Sequence, residues 1–165
     1  MRRSQQEIGQ KDIIEEIINN SLVCRLGLCA GDDPYVVPVS FGYDGAAIYF
    51  HTAQSGKKID ILAQNNRVCF EMEDQVKLET DPGDPCKWSF SYRSVIGAGD
   101  VDELLSPDQK RAGLQQIMNH YSDRDWDFPA NQIDRTRVWM IRIRELTGKQ
   151  SLDFVEKTGN VEGER

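Results

Sequence analysis

The chain has 165 residues, enough for one domain with a hydrophobic core, and its 39% hydrophobic and 28% charged residues are ordinary for a globular protein. A formal net charge of −7 disfavours nucleic acid or an anionic membrane as the main partner, because both of these bind basic surfaces. No apolar run approaches the roughly 20 residues that span a bilayer, and the charged N-terminus lacks a signal peptide's apolar stretch, so we expect a cytoplasmic protein.

The first third of the chain predicts a helix followed by an antiparallel meander. Isoleucines recur at helical spacing in residues 10–20, which predicts a short amphipathic helix that ends at an asparagine pair. Residues 22–30 and 35–42 alternate as half-buried strands do, and Pro38 predicts that the second strand lies at a sheet edge or is bulged there. A Tyr-Asp-Gly turn then predicts a hairpin into a third strand, residues 46–52.

The rest of the chain mixes helix and strand signals. In order, the pattern predicts a helix at 57–66, a strand at 67–72, an irregular polar loop at 73–85, a strand at 87–101, a helix from Ser106 and a strand at 137–144. The helix from Ser106 carries a capping-box sequence and a proline at its first helical position. We treat residues 1–150 as one domain and expect the polar tail, residues 151–165, to be mobile.

These elements sum to about six strands, many of them antiparallel neighbours, with two or three helices between them. The predicted fold class is therefore mainly β. A closed or partly closed β-barrel with flanking helices satisfies the strand edges best. Periodicity alone does not choose between such a barrel and an α+β sandwich.

The cysteines and histidines predict no metal site. Cys24, Cys29 and Cys69 lie inside apolar runs, where a thiol usually behaves as a small core hydrophobe. Cys86 lies in a polar loop, where a thiol is more exposed. The chain has no Cys-x-x-Cys pair and only two histidines, so a structural zinc site is not expected.

A candidate anion site lies where the third strand gives way to a helix. No lysine or arginine occurs in residues 34–56, and then Lys57 and Lys58 follow Ser55 and Gly56 directly. The start of a helix offers unpaired N–H groups and the positive end of the helix dipole, so it can hold a phosphate. Glycine allows close approach, serine can donate a hydrogen bond, and two ammonium groups offset the dianion. The alternative is a pair of solvated lysines on a surface helix, which is a common arrangement.

Other polar residues near apolar strands leave two interpretations open. His51 can be a hydrogen-bonded structural residue, or it can donate a proton near neutral pH, and Thr52 can reach the same region. Arg93 and Ser94 point to opposite faces of a predicted strand. An arginine in such a strand needs either an acidic partner or an anion, so a salt bridge and a ligand contact are both open for Arg93.

Three segments occur in an order that resembles a known family. They are residues 34–43, PYVVPVSFGY; residues 48–53, IYFHTA, followed closely by Gly-Lys-Lys; and residues 92–99, YRSVIGAG. Together they resemble the pyridoxamine-5′-phosphate-oxidase-like flavoproteins, and specifically the branch of nitroimidazole-resistance (Nim) proteins. The resemblance extends from the N-terminal residues to Lys149.

The resemblance implies that residues 1–150 form a six-stranded antiparallel split β-barrel that binds FMN at a homodimer interface. The strand that would lie along the isoalloxazine ring contains Val37, Pro38, Val39, Ser40 and Phe41. The residues that would hold the ribityl phosphate are Tyr49, Phe50, His51, Thr52, Ser55, Gly56, Lys57 and Lys58. Arg93 and Ser94 would approach the cofactor, in such proteins often from the other subunit.

The resemblance also gives two of these positions a particular meaning. His51 falls on the histidine that is characteristic of the branch, which makes it the first candidate for a catalytic proton donor or a substrate contact. Thr52 stands where a glycine is common in the branch, so the resemblance does not define the local backbone path or the space for substrate at this point.

The implied reaction is two-electron reduction of a small oxidised substrate by bound FMN, with NAD(P)H as the hydride source. Nim-type proteins are associated with reduction of the nitro group of 5-nitroimidazole drugs. One alternative is a non-enzymatic flavin- or haem-binding carrier or sensor on the same barrel. A further alternative, outside the resemblance, is an acidic interaction module without a cofactor.

Overall fold

The computed structural model describes residues 4–152 of the chain. Except for Ser151 and Leu152, the tail predicted to be mobile, residues 151–165, lies outside the described residues. The described part confirms the predicted fold class, because most of its regular structure is antiparallel β-strand with flanking α-helices. Within this part, no α-helix has the length and apolar character needed to cross a bilayer.

The described residues form eight β-strands and four α-helices. The strands are β1 (Glu7–Ile8), β2 (Cys24–Ala30), β3 (Asp33–Val39), β4 (Phe41–Tyr43), β5 (Ala47–Thr52), β6 (Arg67–Glu79), β7 (Ser89–Leu104) and β8 (Arg137–Gln150). The helices are α1 (Lys11–Asn20), α2 (Lys57–Gln64), α3 (Pro107–Tyr121) and α4 (Ala130–Arg135). The three predicted helices are thus confirmed, and Ser106 and Gln109 form the capping box that begins α3.

The strands outnumber the predicted six because some of them depend on partners distant in the sequence. The two residues of β1 pair with the end of β8, Glu7 with Lys149 and Ile8 with Gly148. Strand β8 continues beyond its predicted end at residue 144, where most residues are polar, and the pairing with β1 lies in this additional part. The single strand predicted at 35–42 is interrupted at Ser40 and becomes β3 and β4.

Two segments without a predicted helix or strand also contain regular structure. The prediction of a loop at residues 73–85 is wrong for the first half of that segment, because β6 continues to Glu79. In this part Val76 and Leu78 alternate with polar residues. The turn-forming residues are confined to the second half of the segment. The loop before β8 contains α4, which is too short for a helical pattern and buries only Ile133.

The chain forms two compact units. Within the described residues the smaller unit contains 4–21, 72–96 and 147–152, and the larger unit contains 22–71 and 97–146. Strands β6, β7 and β8 each contribute residues to both units. One domain over residues 1–150 stays a prediction.

In the larger unit the strands pair in the order β3-β2-β6-β7-β8-β5-β4. The strand β3 lies at one end of this order, which confirms the edge position predicted from Pro38. The apolar faces of the strands form the core. Its fully buried side chains include Leu26, Phe41, Ile48, Phe50, Phe70, Val138 and Ile141.

The predicted hairpin between β4 and β5 is confirmed, and Asp44 holds it. The Oδ1 atom of Asp44 accepts hydrogen bonds from the N–H groups of Ala46 (2.9 Å) and Ala47 (2.7 Å). Its Oδ2 atom accepts a bond from the Tyr49 hydroxyl at 2.8 Å. Burial alone would raise the pKa of Asp44, but these hydrogen bonds to its charged form lower it overall. Gly45 supplies the positive φ of 92° that the turn requires.

Helix α3 packs closely on β4 at Gly42. A Cβ atom at this position would lie 2.2 Å from the carbonyl oxygen of Gln116, so only glycine leaves room for the helix backbone. At the end of α3, the Tyr121 hydroxyl donates to the Leu22 carbonyl and accepts from the Phe41 N–H, each at 3.0 Å. These contacts fix α3 against the strands that precede the candidate site.

In the smaller unit, α1 buries Ile14, Ile17 and Ile18, as the isoleucine spacing predicts. Gly148 of β8 lies so close to α1 that a Cβ there would be 2.9 Å from the Ile14 side chain. The smaller unit therefore has apolar packing of its own between a helix and a strand.

The cysteines follow the prediction of core thiols only in part. Cys24 is buried, and this burial raises the pKa of its thiol to about 12. Cys29 is half-buried. The core position predicted for Cys69 is wrong, because Cys69 is exposed where it pairs with Gly27 across β2 and β6. Cys86 is exposed, as its polar surroundings indicate.

We expect Gly42→Ala to lower the free energy of unfolding by about 1–3 kcal/mol, since the added methyl group must displace the backbone of α3. Urea denaturation measures the change. The matched control is Gly9→Ala, where a Cβ meets no atom within 4 Å and the expected change is below about 0.5 kcal/mol. Unaltered stability of Gly42→Ala would contradict the close packing of α3 on β4.

Candidate functional site

A cavity of about 240 Å³ lies in the larger unit where β5 ends and α2 begins. Its wall is formed by Tyr35 and Val37 of β3, the end of β5 with its loop (Thr52, Ala53, Ser55) and the start of α2 (Gly56, Lys57, Lys58, Ile59). None of these lining residues carries a carboxylate, and two carry an ammonium group. The cavity therefore concentrates positive charge in a chain whose formal net charge is −7.

The backbone at Gly56 shapes the entrance to α2. Gly56 precedes the helix with φ 141° and ψ 163°, a region of backbone conformation that is essentially confined to glycine. The Gly56 carbonyl accepts the first bonds of the helix, from the N–H groups of Ile59 (2.8 Å) and Asp60 (3.1 Å). The N–H groups of Lys57 and Lys58 come before that ladder, so they are available to an anion in the cavity.

The two lysines are placed differently. The Lys57 ammonium lies 5.0 Å from the centre of the Tyr35 ring, and the Lys57 side chain is exposed. The Lys58 ammonium lies 5.8 Å from the centre of the Phe50 ring, and its partial burial lowers its pKa. Both positions are typical of cation–π contacts, in which an aromatic ring attracts a positive charge.

Thr52 is buried at the end of β5, and its hydroxyl is engaged within the protein. The hydroxyl oxygen accepts a hydrogen bond from the Trp139 indole N–H at 3.0 Å and donates to the Ala53 carbonyl at 2.8 Å. The Trp139 ring in turn stacks near Phe50, with ring centres 6.2 Å apart. Thr52 therefore fixes the point where the chain leaves β5 and turns towards α2.

His51 lies one residue earlier on β5, opposite Val138 of β8. It is not among the residues that line the cavity. Neighbouring atoms that exclude water lower the pKa of His51, and the positive charge of Lys58 lowers it further. The His51 imidazole is therefore mostly neutral at pH 7, with one nitrogen able to donate and the other able to accept a hydrogen bond.

Residues 10–150 match a family model described as pyridoxamine 5′-phosphate oxidase. This chain belongs to the pyridoxamine 5′-phosphate oxidase family. The matched region contains every residue that lines the cavity between β5 and α2. Among curated proteins, none matches the chain significantly.

One solved structure supports the same family and the predicted branch. A candidate 5-nitroimidazole antibiotic resistance protein from Bacteroides thetaiotaomicron is 31% identical, with a TM-score of 0.78 over 87% of this chain and 86% of that one. This likeness and the family match confirm the resemblance to the nitroimidazole-resistance branch.

Two more distant structures share the fold. A flavocytochrome from Azotobacter vinelandii is 18% identical, with a TM-score of 0.77 over 92% of this chain and 72% of that chain. An FAD- and haem-binding protein from Mycobacterium smegmatis is 15% identical, with a TM-score of 0.79 over 93% and 80%. At such identities the likeness is one of fold alone.

In this member of the pyridoxamine 5′-phosphate oxidase family, some of the predicted site residues meet at the cavity and others do not. Those that line it are Val37, Thr52, Ser55, Gly56, Lys57 and Lys58. Those that do not are Pro38, Val39, Ser40, Phe41, Tyr49, Phe50, His51, Arg93 and Ser94. Val39, Phe41 and Phe50 have buried side chains that belong to the core, whereas Pro38 and Ser40 are exposed.

Tyr49 lies outside the cavity between β5 and α2, and its predicted contact with the phosphate stays a prediction. Its side chain lines a second cavity of about 180 Å³ formed with α3, and its hydroxyl donates to Asp44. Burial, together with this bond to a carboxylate, raises the pKa of Tyr49 to about 12. The side chain of Tyr49 therefore serves the hairpin and the packing of α3 rather than the cavity beside Lys57.

Arg93 forms the salt bridge that was one of its two alternatives, while its contact with a cofactor stays a prediction. It lies in the smaller unit and is 6% exposed. Its guanidinium donates to both carboxylate oxygens of Asp74 and to Oε1 of Glu16 at 2.8 Å. The hydrogen bond to Asp74, followed by that to Glu16, raises the pKa of Arg93 against the opposing effect of burial. Ser94, beside it, is buried.

Sequence reasoning missed three residues of this family member's cavity, Tyr35, Ala53 and Ile59. Tyr35 shares a strand face with Val37, so the alternation of β3 was sufficient to find it. Ala53 and Ile59 carry no chemical signal of their own, and only the turn between β5 and α2 brings them together.

We expect the pKa of His51 to lie below its ordinary value of 6.5, because partial desolvation and the Lys58 charge both disfavour the imidazolium form. Replacing Lys58→Met removes one of these two effects, so the pKa of His51 rises in that variant. NMR titration of the imidazole resonances measures both values.

The matched control for this titration is Lys57→Met, which removes the same charge from the neighbouring residue. Lys58 acts on the pKa of His51, and we expect no comparable change from Lys57. An identical titration curve for Lys58→Met and the wild-type chain would contradict the assigned coupling.

Proposed function

We propose that this protein is an FMN-dependent oxidoreductase that reduces a small oxidised substrate with electrons from NAD(P)H. The observation that carries the proposal is the cavity between β5 and α2, which combines two lysines and a helix start without any carboxylate. Membership of the pyridoxamine 5′-phosphate oxidase family supports the reaction class. The fold shared with an FAD- and haem-binding protein supports a flavin as the cofactor.

The donors around the cavity fit a phosphate group. The ammonium groups of Lys57 and Lys58 would balance its charge, and the Ser55 hydroxyl and the first N–H groups of α2 would donate hydrogen bonds to its oxygens. The volume of about 240 Å³ is below the roughly 300–1,000 Å³ of sites that enclose a drug-sized ligand. The cavity thus suits the phosphate end of FMN, and the flavin ring would lie outside it.

The flavin ring would follow the exposed edge strand β3 towards Ser40. Strand β3 pairs on one side with β2 and ends the strand order on its other side, so its backbone can approach a flat ligand. Pro38 and Ser40 are the exposed residues of the predicted ring-binding segment, residues 37–41. When bound, the flavin supplies the hydride-transfer chemistry, while the protein supplies binding and orientation.

His51 is the proposed residue for contact with the substrate. Because its pKa is lowered, its neutral imidazole offers an N–H donor at pH 7 without adding a charge beside Lys58. Such a donor can hydrogen-bond an oxygen of the substrate and stabilise the negative charge that develops there during reduction. The nitro group of a 5-nitroimidazole is the proposed substrate group, supported by the relative from Bacteroides thetaiotaomicron.

The proposal includes a homodimer in the cytoplasm. A flavin ring that lies along β3 would leave one of its faces open to water. A second copy of the chain would cover that face. In that assembly Arg93 and Ser94 would act from the other subunit, with Arg93 oriented by Asp74 and Glu16.

The absorption spectrum of the purified protein, before and after incubation with FMN and gel filtration, tests the proposal. We expect bound flavin, and NAD(P)H oxidation that depends on an added 5-nitroimidazole. A protein that stays colourless after this treatment is not a flavoprotein. Bound flavin without any substrate-dependent oxidation would instead favour a flavin carrier or sensor.

We expect the double variant Lys57→Ala and Lys58→Ala to bind FMN at least about tenfold more weakly, because charge-assisted hydrogen bonds to the phosphate are lost. Riboflavin, which lacks the phosphate, should lose little affinity. Quenching of flavin fluorescence measures both ligands. Lys77→Ala, which removes an exposed lysine from the smaller unit, is the control, and equal losses for FMN and riboflavin would show that the lysines do not meet the phosphate.

For His51→Ala we expect FMN binding to be retained while turnover falls about a hundredfold, the usual scale for loss of one hydrogen-bond donor to a developing oxyanion. Steady-state oxidation of NAD(P)H measures turnover, and the flavin spectrum measures occupancy. Unchanged turnover would make His51 a structural residue.

A further inference from the structure

The contact between Tyr35 and Lys57 is one that the sequence analysis did not assign. Tyr35 lies on β3, where it pairs with Leu28 of β2, and its side chain is half-buried. Lys57 begins α2, and its ammonium lies 5.0 Å from the centre of the Tyr35 ring. Both residues line the same cavity, so the contact joins two sides of its wall.

We propose that Tyr35 is a positioning residue that acts through Lys57, holding its ammonium over the ring so that it faces a phosphate in the cavity. The inference rests on the proposed function, since the phosphate is that of FMN. A free lysine side chain samples many rotamers and loses this freedom when it binds an anion. A ring that already holds the ammonium removes part of that loss before the ligand arrives.

The surroundings of Lys57 explain why an aromatic ring, and not a carboxylate, would position its ammonium group. Among residues 4–152, no carboxylate forms an ion pair with Lys57. A carboxylate would hold the ammonium more firmly, but its negative charge would repel the phosphate. The face of an aromatic ring attracts a cation through its quadrupole and leaves the full positive charge for the anion.

Lys58 provides a comparison within the same site. It lies over Phe50, whose ring is fully buried in the core, and it is itself partly buried. Lys57 instead lies over the half-buried Tyr35 ring on an edge strand. Removal of the Tyr35 ring should therefore affect Lys57 selectively.

The test compares Tyr35→Leu, which removes the ring, with Tyr35→Phe, which keeps the ring and removes only the hydroxyl. We expect Tyr35→Leu to weaken FMN binding about two- to fivefold, the effect of one cation–π contact at an exposed site. Tyr35→Phe should bind FMN as the wild-type chain does, and neither variant should alter riboflavin binding. In the Lys57→Ala background, Tyr35→Leu should cause no further loss.

Three outcomes would overturn the inference. Equal losses for Tyr35→Phe and Tyr35→Leu would mean that the hydroxyl itself meets the phosphate. An equal loss of riboflavin binding would mean that Tyr35 contacts the flavin ring or is needed for the fold. Additive losses for Tyr35→Leu and Lys57→Ala would mean that the two residues act independently.

A second measurement separates failure of this inference from failure of the proposed function. In NMR spectra recorded without flavin, the ring current of Tyr35 should shift the side-chain methylene resonances of Lys57 upfield. The shift should persist in Tyr35→Phe and vanish in Tyr35→Leu, and its absence from the wild-type chain would overturn the inference. If the wild-type chain binds no FMN, the proposed function fails, and titration of the same variants with inorganic phosphate decides whether Tyr35 positions Lys57 for an anion.

Discussion

The candidate site depends on the position of two adjacent lysines at the start of α2, in a chain whose formal net charge is −7. Strand β5 ends at Thr52, and the glycine conformation of Gly56 turns the chain directly into α2. Lys57 and Lys58 consequently stand at the start of the helix, where its dipole disfavours positive charge. Their position costs the isolated protein some stability, which a bound anion would restore. Local rules of folding are often broken in this way at functional sites.

The anion site is tied to the core through a chain of aromatic contacts. Lys58 lies over Phe50, the Phe50 ring stacks near Trp139, and the Trp139 indole bonds the hydroxyl of Thr52. The buried rings thus support both the second lysine and the end of β5. A substitution among them would disturb the site without touching a ligand, because a close-packed interior transmits displacement.

The sequence was sufficient where the signal was local. Alternation located β5, the Ser-Gly-Lys-Lys run located the start of α2, and their succession predicted an anion site there. It was insufficient where partners are distant in the chain. Nothing near Arg93 indicates whether Asp74, Glu16 or an anion will meet its guanidinium, and nothing near Thr52 indicates an indole donor. For the same reason the sequence did not predict β1, because its two residues form a strand by pairing with the distant end of β8.

The bond between Trp139 and Thr52 makes one end of the anion site depend on a residue 87 positions further along the chain. A buried indole N–H without an acceptor is costly, so a chain that lacked the Thr52 hydroxyl would leave the Trp139 N–H unsatisfied. The same hydroxyl donates to the Ala53 carbonyl, the first backbone group after β5. The turn towards α2 and the burial of the Trp139 ring are therefore energetically coupled, although neither residue is close to the other in sequence.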